Sequence, residues 1–455
     1  MKTHPVKLAL ITLACSAALV DVAVAAASAA EAEQLKSSLT PFGAEKAGNK
    51  DGTIPAWTGG YTTPIPGFKN GGRRGDPFAS DKPLYSITAK NLDQHADKLS
   101  DGVKAMFQKY PDTYRVDVYP TRRTAAAPQW VYDNTFKNAT RARIVENANG
   151  SVPEGAFGGI PFPIPKSGVE VLWNHQLRWR GESWQYDMQG WLGTADGKKV
   201  LTVDGSADQQ MPYYAKDGSP EKFAGDYWLL RLVNAGPPVR AGEGIVARFA
   251  INGDEQTWVY LTGQRRVRKL PNACCDTPTP ATAGVMSVDD IEIFAGPNGR
   301  FDWKIVGKKE VIIPYNANRL LQPTKAADVL GVHHMNPDHM RWELHRVWVV
   351  EASLKPGKRH QAPKGIYYFD EDTWNAVLAD RWDAKGQLWK TMWMASVVMP
   401  DLPATATTTF GFNDLISGTS YTNVLVNEKA SQFKIMPRYS DAVFTPDGLI
   451  GEGVR

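Results

Sequence analysis

The amino-acid sequence predicts an α+β fold in which a curved antiparallel β-sheet, or half-barrel, has helices covering one side. After residue 340, strand-type runs rich in β-branched and aromatic residues follow one another closely, separated by turn sequences such as DED and DAKG. Helical patterns fall mostly before residue 182, so helices and strands are segregated along the chain. Strands joined by such short turns pair antiparallel, and about a dozen of them allow a strongly curved sheet.

The last strands of this meander have apolar residues on both faces. Trp389 and Trp393 share one face, whereas Met392 and Met394 share the other. A sheet with one face in water alternates apolar and polar residues more strictly. Both faces are therefore expected to be covered, either by an ordinary two-sided core or with one face lining a ligand cavity. The predicted strands of the meander are Trp342–Leu354, Gly365–Asp370, Trp374–Trp382 and Leu388–Met394.

The first residues predict export to the periplasm. Residues 1–29 combine a basic start (MKTHPVK), an apolar stretch (LALITLACSAALV) and small residues suited to signal peptidase, the pattern of a cleaved signal peptide. A lipoprotein form with Cys15 as the lipidated residue is the less favoured alternative, because Thr12 stands where a lipobox normally has Leu.

The remaining chain is expected to form one large domain preceded by an arm. Residues 30–87 are rich in turn formers and predict an extended N-terminal arm, and residues 88–455 predict a single domain. Within this domain we expect a helical insert or lid, then the antiparallel sheet, then a peripheral C-terminal segment. Their predicted bounds are 88–180, 181–400 and 401–455.

Periodicity and turn residues predict the elements of this domain. Apolar stripes and flanking Pro or cap residues predict helices at Thr88–Tyr110, Asn134–Asn147 and Val169–Trp179. Turn sequences containing Pro, Asn and Gly separate the strands that precede the meander. These strands are predicted at Ser183–Leu192, Asp226–Val233, Gly244–Ile251, Gln256–Leu261, Arg265–Leu270, Asp290–Phe294 and Phe301–Ile313.

Composition and cysteine usage narrow the class of protein. The 455 residues are 42% hydrophobic and 22% charged, and the formal net charge is only +4, so nucleic-acid binding is not predicted. Two adjacent cysteines, Cys274 and Cys275, remain beyond the signal peptide. In an oxidising compartment they could form a strained vicinal disulfide, bridge to another chain or stay as free thiols.

No recognised catalytic motif is present. The sequence has no G-x-S-x-G elbow and no phosphate-binding loop. A group of histidines follows no familiar metal-ligand spacing, so we interpret them as structural and keep a metal site as the alternative. The acidic run Asp370-Glu371-Asp372 is interpreted as a solvated hairpin tip. No catalytic residue, metal or cofactor is therefore predicted. The histidines are His333, His334, His339, His345 and His360.

The most concentrated charge lies in the strand sequence GQRRVRKLP. Arg265, Arg266 and Arg268 fall within four residues of one another. They predict contact with an acidic partner or with anionic lipid headgroups. The alternative is an edge strand whose basic side chains prevent aggregation.

Several segments together resemble one proteobacterial periplasmic family. They are LTPFGAEKAGNKDGTIPAWTGG, PFPIPKSGVEVLWNH, TWVYLTGQRRVRKLP, HRVWVVEASLK and YYFDEDTW. The family is built on a domain of unknown function, and its members are described as similar to outer-membrane lipoprotein-sorting proteins. The resemblance implies a lipoprotein-carrier fold around an apolar cavity. It also implies partners: an inner-membrane exporter of the resistance-nodulation-division type and an outer-membrane barrel-like protein.

The functional hypothesis is a periplasmic carrier or binding protein for a lipid or other hydrophobic molecule. Burial of an acyl chain would supply affinity at about 0.8 kcal/mol per CH₂ group. The alternatives are an envelope scaffold or adaptor and, less favoured, a periplasmic hydrolase. The residues predicted to line the cavity are Trp258, Tyr260, Trp348, Tyr367, Phe369, Trp389 and Trp393.

Overall fold

The computed structural model describes residues 26–271 and 274–453. Most of the predicted signal peptide, residues 1–25, lies outside the described residues, and that prediction is not tested. Among the described helices none combines the length and the apolar character needed to cross a membrane. The α-helices are α1 (Ala29–Glu33), α2 (Asp101–Lys109), α3 (Gln129–Arg141), α4 (Gly168–Gln176), α5 (Ala326–Leu330) and α6 (Pro446–Gly453).

The strands make up most of the regular structure. In chain order the first group is β1 (Tyr85–Ile87), β2 (Val116–Tyr119), β3 (Arg143–Asn147), β4 (Gly150–Glu154), β5 (Ser183–Gly193), β6 (Lys199–Gln210), β7 (Asp226–Gly236), β8 (Gly244–Ala250) and β9 (Gln256–Leu261). The second group is β10 (Arg266–Lys269), β11 (Phe301–Pro314), β12 (Trp342–Leu354), β13 (Lys364–Asp370), β14 (Ala376–Trp382), β15 (Leu388–Met399), β16 (Ala404–Asp414), β17 (Ser420–Leu425) and β18 (Lys434–Ile435).

One large antiparallel sheet organises the chain. Its strands lie in the order β11-β12-β13-β14-β15-β16-β17-β5-β6-β7-β8-β9-β10, and the sheet is curved but not closed. β2 pairs in parallel with the beginning of β12 and also pairs with β1, while β18 lies beside β5. The hairpin of β3 and β4 is separate. The predicted α+β class with a curved antiparallel sheet is confirmed.

The C-terminal part of the chain differs from the prediction. β16 pairs with β15, and β17 pairs with both β16 and β5, so these strands join the meander to the earlier strands. The expectation that residues 401–455 form a peripheral segment is wrong for these two strands. β16 was not predicted because its sequence is rich in threonine, yet this strand is buried along nearly its whole length.

Three other predictions need correction. The helix predicted at Thr88–Tyr110 begins only at Asp101, where the Ser100 side chain accepts a hydrogen bond from the amide of Val103. The strand predicted at Asp290–Phe294 is an irregular loop, because the guanidinium group of Arg381 binds the backbone carbonyls of residues 289 and 293 in place of a strand partner. The helix at Asn134–Asn147 is shifted towards the N-terminus.

Apolar side chains cover both faces of the sheet, as the sequence predicts. Met392 and Met394 belong to the larger core, which includes the cavity described below. Trp393 and Ala395 point to the opposite face and belong to a second core beneath α2 and α5. Strand alternation thus places neighbouring residues of β15 in two different cores.

Candidate functional site

A cavity of about 140 Å³ lies between strands β5–β9 and an irregular loop, residues 277–292, which we call the lid loop. Alternation along each strand directs every second side chain into it. In β8, for example, Ile245, Ala247 and Phe249 face the cavity. The other strands contribute Tyr186, Met188, Ala207, Gln209, Trp228, Leu230, Leu232, Thr257 and Val259, and the lid loop contributes Ala281, Met286, Val288 and Ile291.

The polar groups of the cavity wall bind one another. Gln209 donates from Nε2 to Tyr186 Oη at 2.6 Å and accepts from Trp228 Nε1 at 3.2 Å. The ring of Trp228 stacks on Phe249, with centroids 4.5 Å apart and planes 15° apart. Because these donors and acceptors are paired, the wall offers mainly apolar surface to a ligand.

One end of the cavity carries a buried ion cluster. Glu292 lines the cavity and accepts hydrogen bonds from Arg178 Nη2 at 2.5 Å and from Arg180 Nη1 at 2.6 and 2.8 Å. Burial by itself would raise the pKa of Glu292, but Arg180 and Arg178 outweigh it and hold that pKa below its ordinary value. The guanidinium group of Arg180 also lies 4.5 Å from the ring centroid of Trp228. The cluster therefore fixes this end of the lid loop against the sheet.

The seven aromatic residues predicted to line a cavity do not meet at one place. Trp258 and Tyr260 lie on the opposite face of β9 from Thr257 and Val259 and pack near Phe444 of the C-terminal segment. Tyr367 and Phe369 are buried in the larger core, and their rings stack with centroids 6.4 Å apart. None of these four is among the described residues that line the 140 Å³ cavity.

The remaining three aromatic residues are also spread over the sheet. Trp348 is partly buried and stacks on Trp374, with ring centroids 6.3 Å apart. Trp389 donates from Nε1 to Asp414 Oδ2 at 2.9 Å. Trp393 belongs to the second core, on the other face of the sheet from the cavity.

The sequence prediction named none of the cavity residues, and two of them, Ala207 and Gln209, lie on β6, a strand that was not predicted. Its sequence KVLTVDGSADQQ is too polar for a search based on hydrophobic runs. The usable signal is alternation: Val203, Ala207 and Gln209 are buried on one side, and Ser206 is exposed on the other.

The basic strand lies at one end of the sheet. β10 is the last strand in the order and pairs with β9. Arg266 and Arg268 are exposed, and Arg265 occupies the turn before β10 with a φ of 49°. Arg268 Nε donates to Gln264 Oε1 at 2.8 Å. All three arginines are thus brought together on an accessible edge.

Cys274 and Cys275 precede the lid loop as free thiols. The hydrogen bond between the two side chains, together with the charge of Arg300, lowers the pKa of Cys274 to about 7. The same hydrogen bond, together with burial, raises the pKa of Cys275. Cys275 is buried and Cys274 is partly exposed. The disulfide between them stays a prediction.

The acidic run at the β13–β14 turn is buried, so the prediction of a solvated hairpin tip is wrong. Asp370, Glu371 and Asp372 are 0%, 2% and 3% exposed. Ion pairs account for much of this burial: Arg123 binds Asp372 through two hydrogen bonds of 2.6 and 2.8 Å, and Arg346 Nη1 lies 3.0 Å from Glu371 Oε1. Burial, and secondarily the charge of Asp372, raises the pKa of Asp370 to about 7.

His345 of β12 lies beside this turn and is also buried. Its Nε2 is 3.1 Å from Glu343 Oε2, and its Nδ1 is 3.7 Å from Asp370 Oδ1. Burial by itself would lower the pKa of His345, but the hydrogen bond to Glu343 and the charge of Asp370 raise it above its ordinary value. This environment favours positive charge at the imidazole.

Comparison with known proteins places the chain in a family. The profile described as "Protein of unknown function (DUF1329)" matches residues 86–450. The chain belongs to the DUF1329 family. The family indicated by the sequence motifs is thereby confirmed.

The chain is also similar to individual proteins. The DUF1329 chain is 38% identical to the Pseudomonas aeruginosa protein PA3922, described as uncharacterized, over the full length of both. It is similar to the crystal structure of a DUF1329 family protein from Desulfovibrio piger, at 16% identity and a TM-score of 0.43, covering 62% of this chain and 97% of that one. It is also similar to the LolA superfamily protein NE2245 from Nitrosomonas europaea, at 13% identity and a TM-score of 0.36, covering 62% and 100%.

Proposed function

We propose that this protein binds and carries a hydrophobic small molecule or lipid in the cavity beneath the lid loop. The observation that supports this most directly is a mainly apolar cavity in whose wall Gln209, Tyr186 and Trp228 are paired with one another. Binding there requires no chemical reaction, because burial of apolar surface contributes about 25 cal/mol of favourable free energy per Å². A ligand would be recognised by its shape and apolar character.

The volume of the cavity limits what fits while the lid loop is closed. An apolar cavity of about 150 Å³ holds a molecule the size of benzene. At about 140 Å³, this cavity would hold one ring or a short stretch of acyl chain. A longer ligand would require the lid loop to move away from the sheet. The part that would move is the irregular stretch around Ala283, which has left-handed backbone, because Glu292 at the far end is held by Arg178 and Arg180.

The proposed setting is the periplasm, with transfer of the ligand between membranes. The signal-peptide pattern of residues 1–29 supports the compartment. The proposed partners are an inner-membrane exporter of the resistance-nodulation-division type and an outer-membrane barrel-like protein. Arg265, Arg266 and Arg268 would contact such a partner or lipid headgroups, since they lie exposed at one end of the sheet.

Filling the cavity tests the proposal. Ala247 lies in the wall, so Ala247→Trp places a large side chain where the ligand would bind. The matched control is Val239→Trp, since Val239 is 83% exposed and its replacement leaves the cavity unchanged. We expect Ala247→Trp to weaken binding of a fluorescent fatty acid at least about tenfold, equivalent to 1.4 kcal/mol, and the control to bind normally.

Native mass spectrometry of protein purified from the periplasm gives an independent test. The proposal expects a hydrophobic molecule to accompany the wild-type protein and to be lost from Ala247→Trp. If the wild type carries no passenger and takes up no fatty acid, the carrier function is wrong. Equal binding by wild type and a folded Ala247→Trp variant would exclude this cavity as the site. The first of these two results would favour the scaffold alternative, whereas the second would place the ligand at another site.

A further inference from the structure

His345 is oriented by Glu343 in a way that leaves its other nitrogen facing a carboxylate. Nε2 lies 3.1 Å from Glu343 Oε2, a hydrogen-bonding distance in which the imidazole N–H is the donor. With the ring neutral, the proton is on Nε2, and Nδ1 carries a lone pair. Histidines that bind metals usually donate their other N–H to a carboxylate in this way.

The group facing that lone pair is another acceptor. Asp370 Oδ1 lies 3.7 Å from His345 Nδ1, is buried, and has no hydrogen-bond partner among the described residues. The distance is too long for a hydrogen bond. It is close to the separation of about 3.4 Å between two ligands that each lie about 2.1 Å from one tetrahedral ion. A metal ion between these two buried groups would satisfy both, in place of the proton that a charged imidazole would carry on Nδ1.

Asp372 supplies a third ligand atom. One ligand atom from each of His345, Asp370 and Asp372 can be chosen such that all three lie within 4.8 Å of one another. Asp372 is held by Arg123, but each carboxylate oxygen has two lone pairs, so it can accept these bonds and still bind an ion. The other oxygen of Asp370 accepts from the amide and hydroxyl groups of Thr373, which fixes the direction of Oδ1.

We propose that His345 Nδ1, Asp370 and Asp372 bind a divalent transition-metal ion, with Zn²⁺ the best match to this ligand set. One imidazole and two carboxylates suit Zn²⁺ and Mn²⁺. His345 lies on β12, Asp370 ends β13 and Asp372 lies in the turn that follows, so a bound ion would tie this turn to the neighbouring strand. The site lies apart from the cavity and does not depend on the proposed carrier function.

Metal binding can be measured directly on the folded full-length protein. The protein is stripped of metal by a chelator during mild unfolding and refolded. It is then titrated with Zn²⁺ or Mn²⁺ by calorimetry, and with Co²⁺ while its visible absorption is recorded. We expect one ion per chain and a higher melting temperature in its presence. A stripped, refolded protein that takes up none of the three ions would overturn the proposal, leaving a proton to separate His345 from Asp370.

Variants locate the ion. We expect Asp370→Asn and His345→Gln each to weaken binding at least about 100-fold. The matched control is His360→Gln, since His360 is a buried histidine that also contacts a carboxylate, Asp289, but belongs to neither strand of the site. If folded Asp370→Asn and His360→Gln proteins bind the ion equally well, the assignment is wrong. Should the variants fail to fold, the Co²⁺ spectrum of the wild type decides, because ligation by one imidazole and carboxylates differs from ligation by surface thiols or histidines.

Discussion

Trp228 and Phe249 stack almost parallel in the wall of the cavity, with ring centroids 4.5 Å apart. Stacked aromatic pairs add about 0.5–1.5 kcal/mol beyond their burial, so this contact stabilises the wall as well as shaping it. Phe249 is buried and Trp228 is further held by Gln209 and Arg180. A change at Phe249 is therefore expected to affect both the free energy of unfolding and the space available to a ligand.

Phe249→Ala should separate these two effects. We expect the free energy of unfolding to fall by about 3–5 kcal/mol, because a buried aromatic ring is removed and a cavity remains. The enlarged cavity should bind a bulkier apolar probe at least as well as the wild type does. Urea denaturation and probe titration measure the two quantities. Loss of both stability and probe binding, in protein shown to be folded, would contradict the assignment of Phe249 to a binding wall.

The structure also predicts a dependence of stability on pH, centred on Asp380. This buried carboxyl accepts hydrogen bonds from Ser100 and Thr391, but burial raises its pKa to about 6. The folded state therefore binds this proton more tightly than the unfolded state, whose pKa is about 4. Its contribution to stability is full below about pH 4 and is lost as the pH rises to about 6.

Asp380→Asn removes this titration. Relative to the wild type, the variant should gain up to about 3 kcal/mol between pH 4 and pH 7, at 1.36 kcal/mol per pKa unit. Denaturant unfolding at both pH values measures the difference. Asp112→Asn is the control, because Asp112 is exposed and should change the pH dependence little. Parallel pH profiles for wild type and Asp380→Asn would show that Asp380 is ionised normally in the folded protein.

The N-terminal arm is held to the sheet by a buried arginine. Arg74 donates to both oxygens of Asp401, at 2.9 and 2.7 Å, and to the carbonyl of Phe433 at 3.0 Å. Arg74→Met should lower the free energy of unfolding by about 3 kcal/mol, since it leaves a partly buried carboxylate without its partner. Lys69→Met, at an exposed position of the same arm, is the control. Equal denaturation midpoints for both variants would contradict this role.

Local pattern was enough to predict most strands but not their order. The runs from Trp342 to Met394 were recognised because β-branched and aromatic residues alternate between short turns. β6 and β16 were missed, since their Thr, Asp, Ser and Gln residues resemble loop sequences. Each pairs with the strand directly before it in the chain, so the turn between them was a local signal, but the polar composition of β6 and β16 concealed it.

Reliance on local sequence also explains why some predicted site residues lie elsewhere in the structure. Trp258 and Tyr260 were chosen by residue type, yet a strand has two faces, and the cavity lies on the side of Thr257 and Val259. The acidic turn at Asp370 is predicted to be a solvated hairpin tip because it lies between two predicted strands. Its burial depends on Arg123, 249 residues from Asp372. Contacts over such distances are not visible in local composition.

Charge reversal tests the role of the basic strand. Arg266→Glu combined with Arg268→Glu should abolish binding to vesicles that contain phosphatidylglycerol, because both side chains are exposed at the last strand of the sheet. The change in unfolding free energy should stay within about 0.5 kcal/mol, since neither residue is buried. Vesicle co-sedimentation at low and high salt measures the interaction.

The control for this test is Lys50→Glu combined with Lys90→Glu, which changes the net charge equally at exposed positions elsewhere. We expect the control to retain most of its vesicle binding, because attraction between exposed charges is screened beyond about 10 Å at 0.1 M salt and depends on local charge. If both double variants lose binding equally, net charge alone is responsible and the basic strand is not a specific contact. If neither loses binding, the arginines have no role in headgroup recognition. Contact with a protein partner is then the remaining hypothesis for the basic strand.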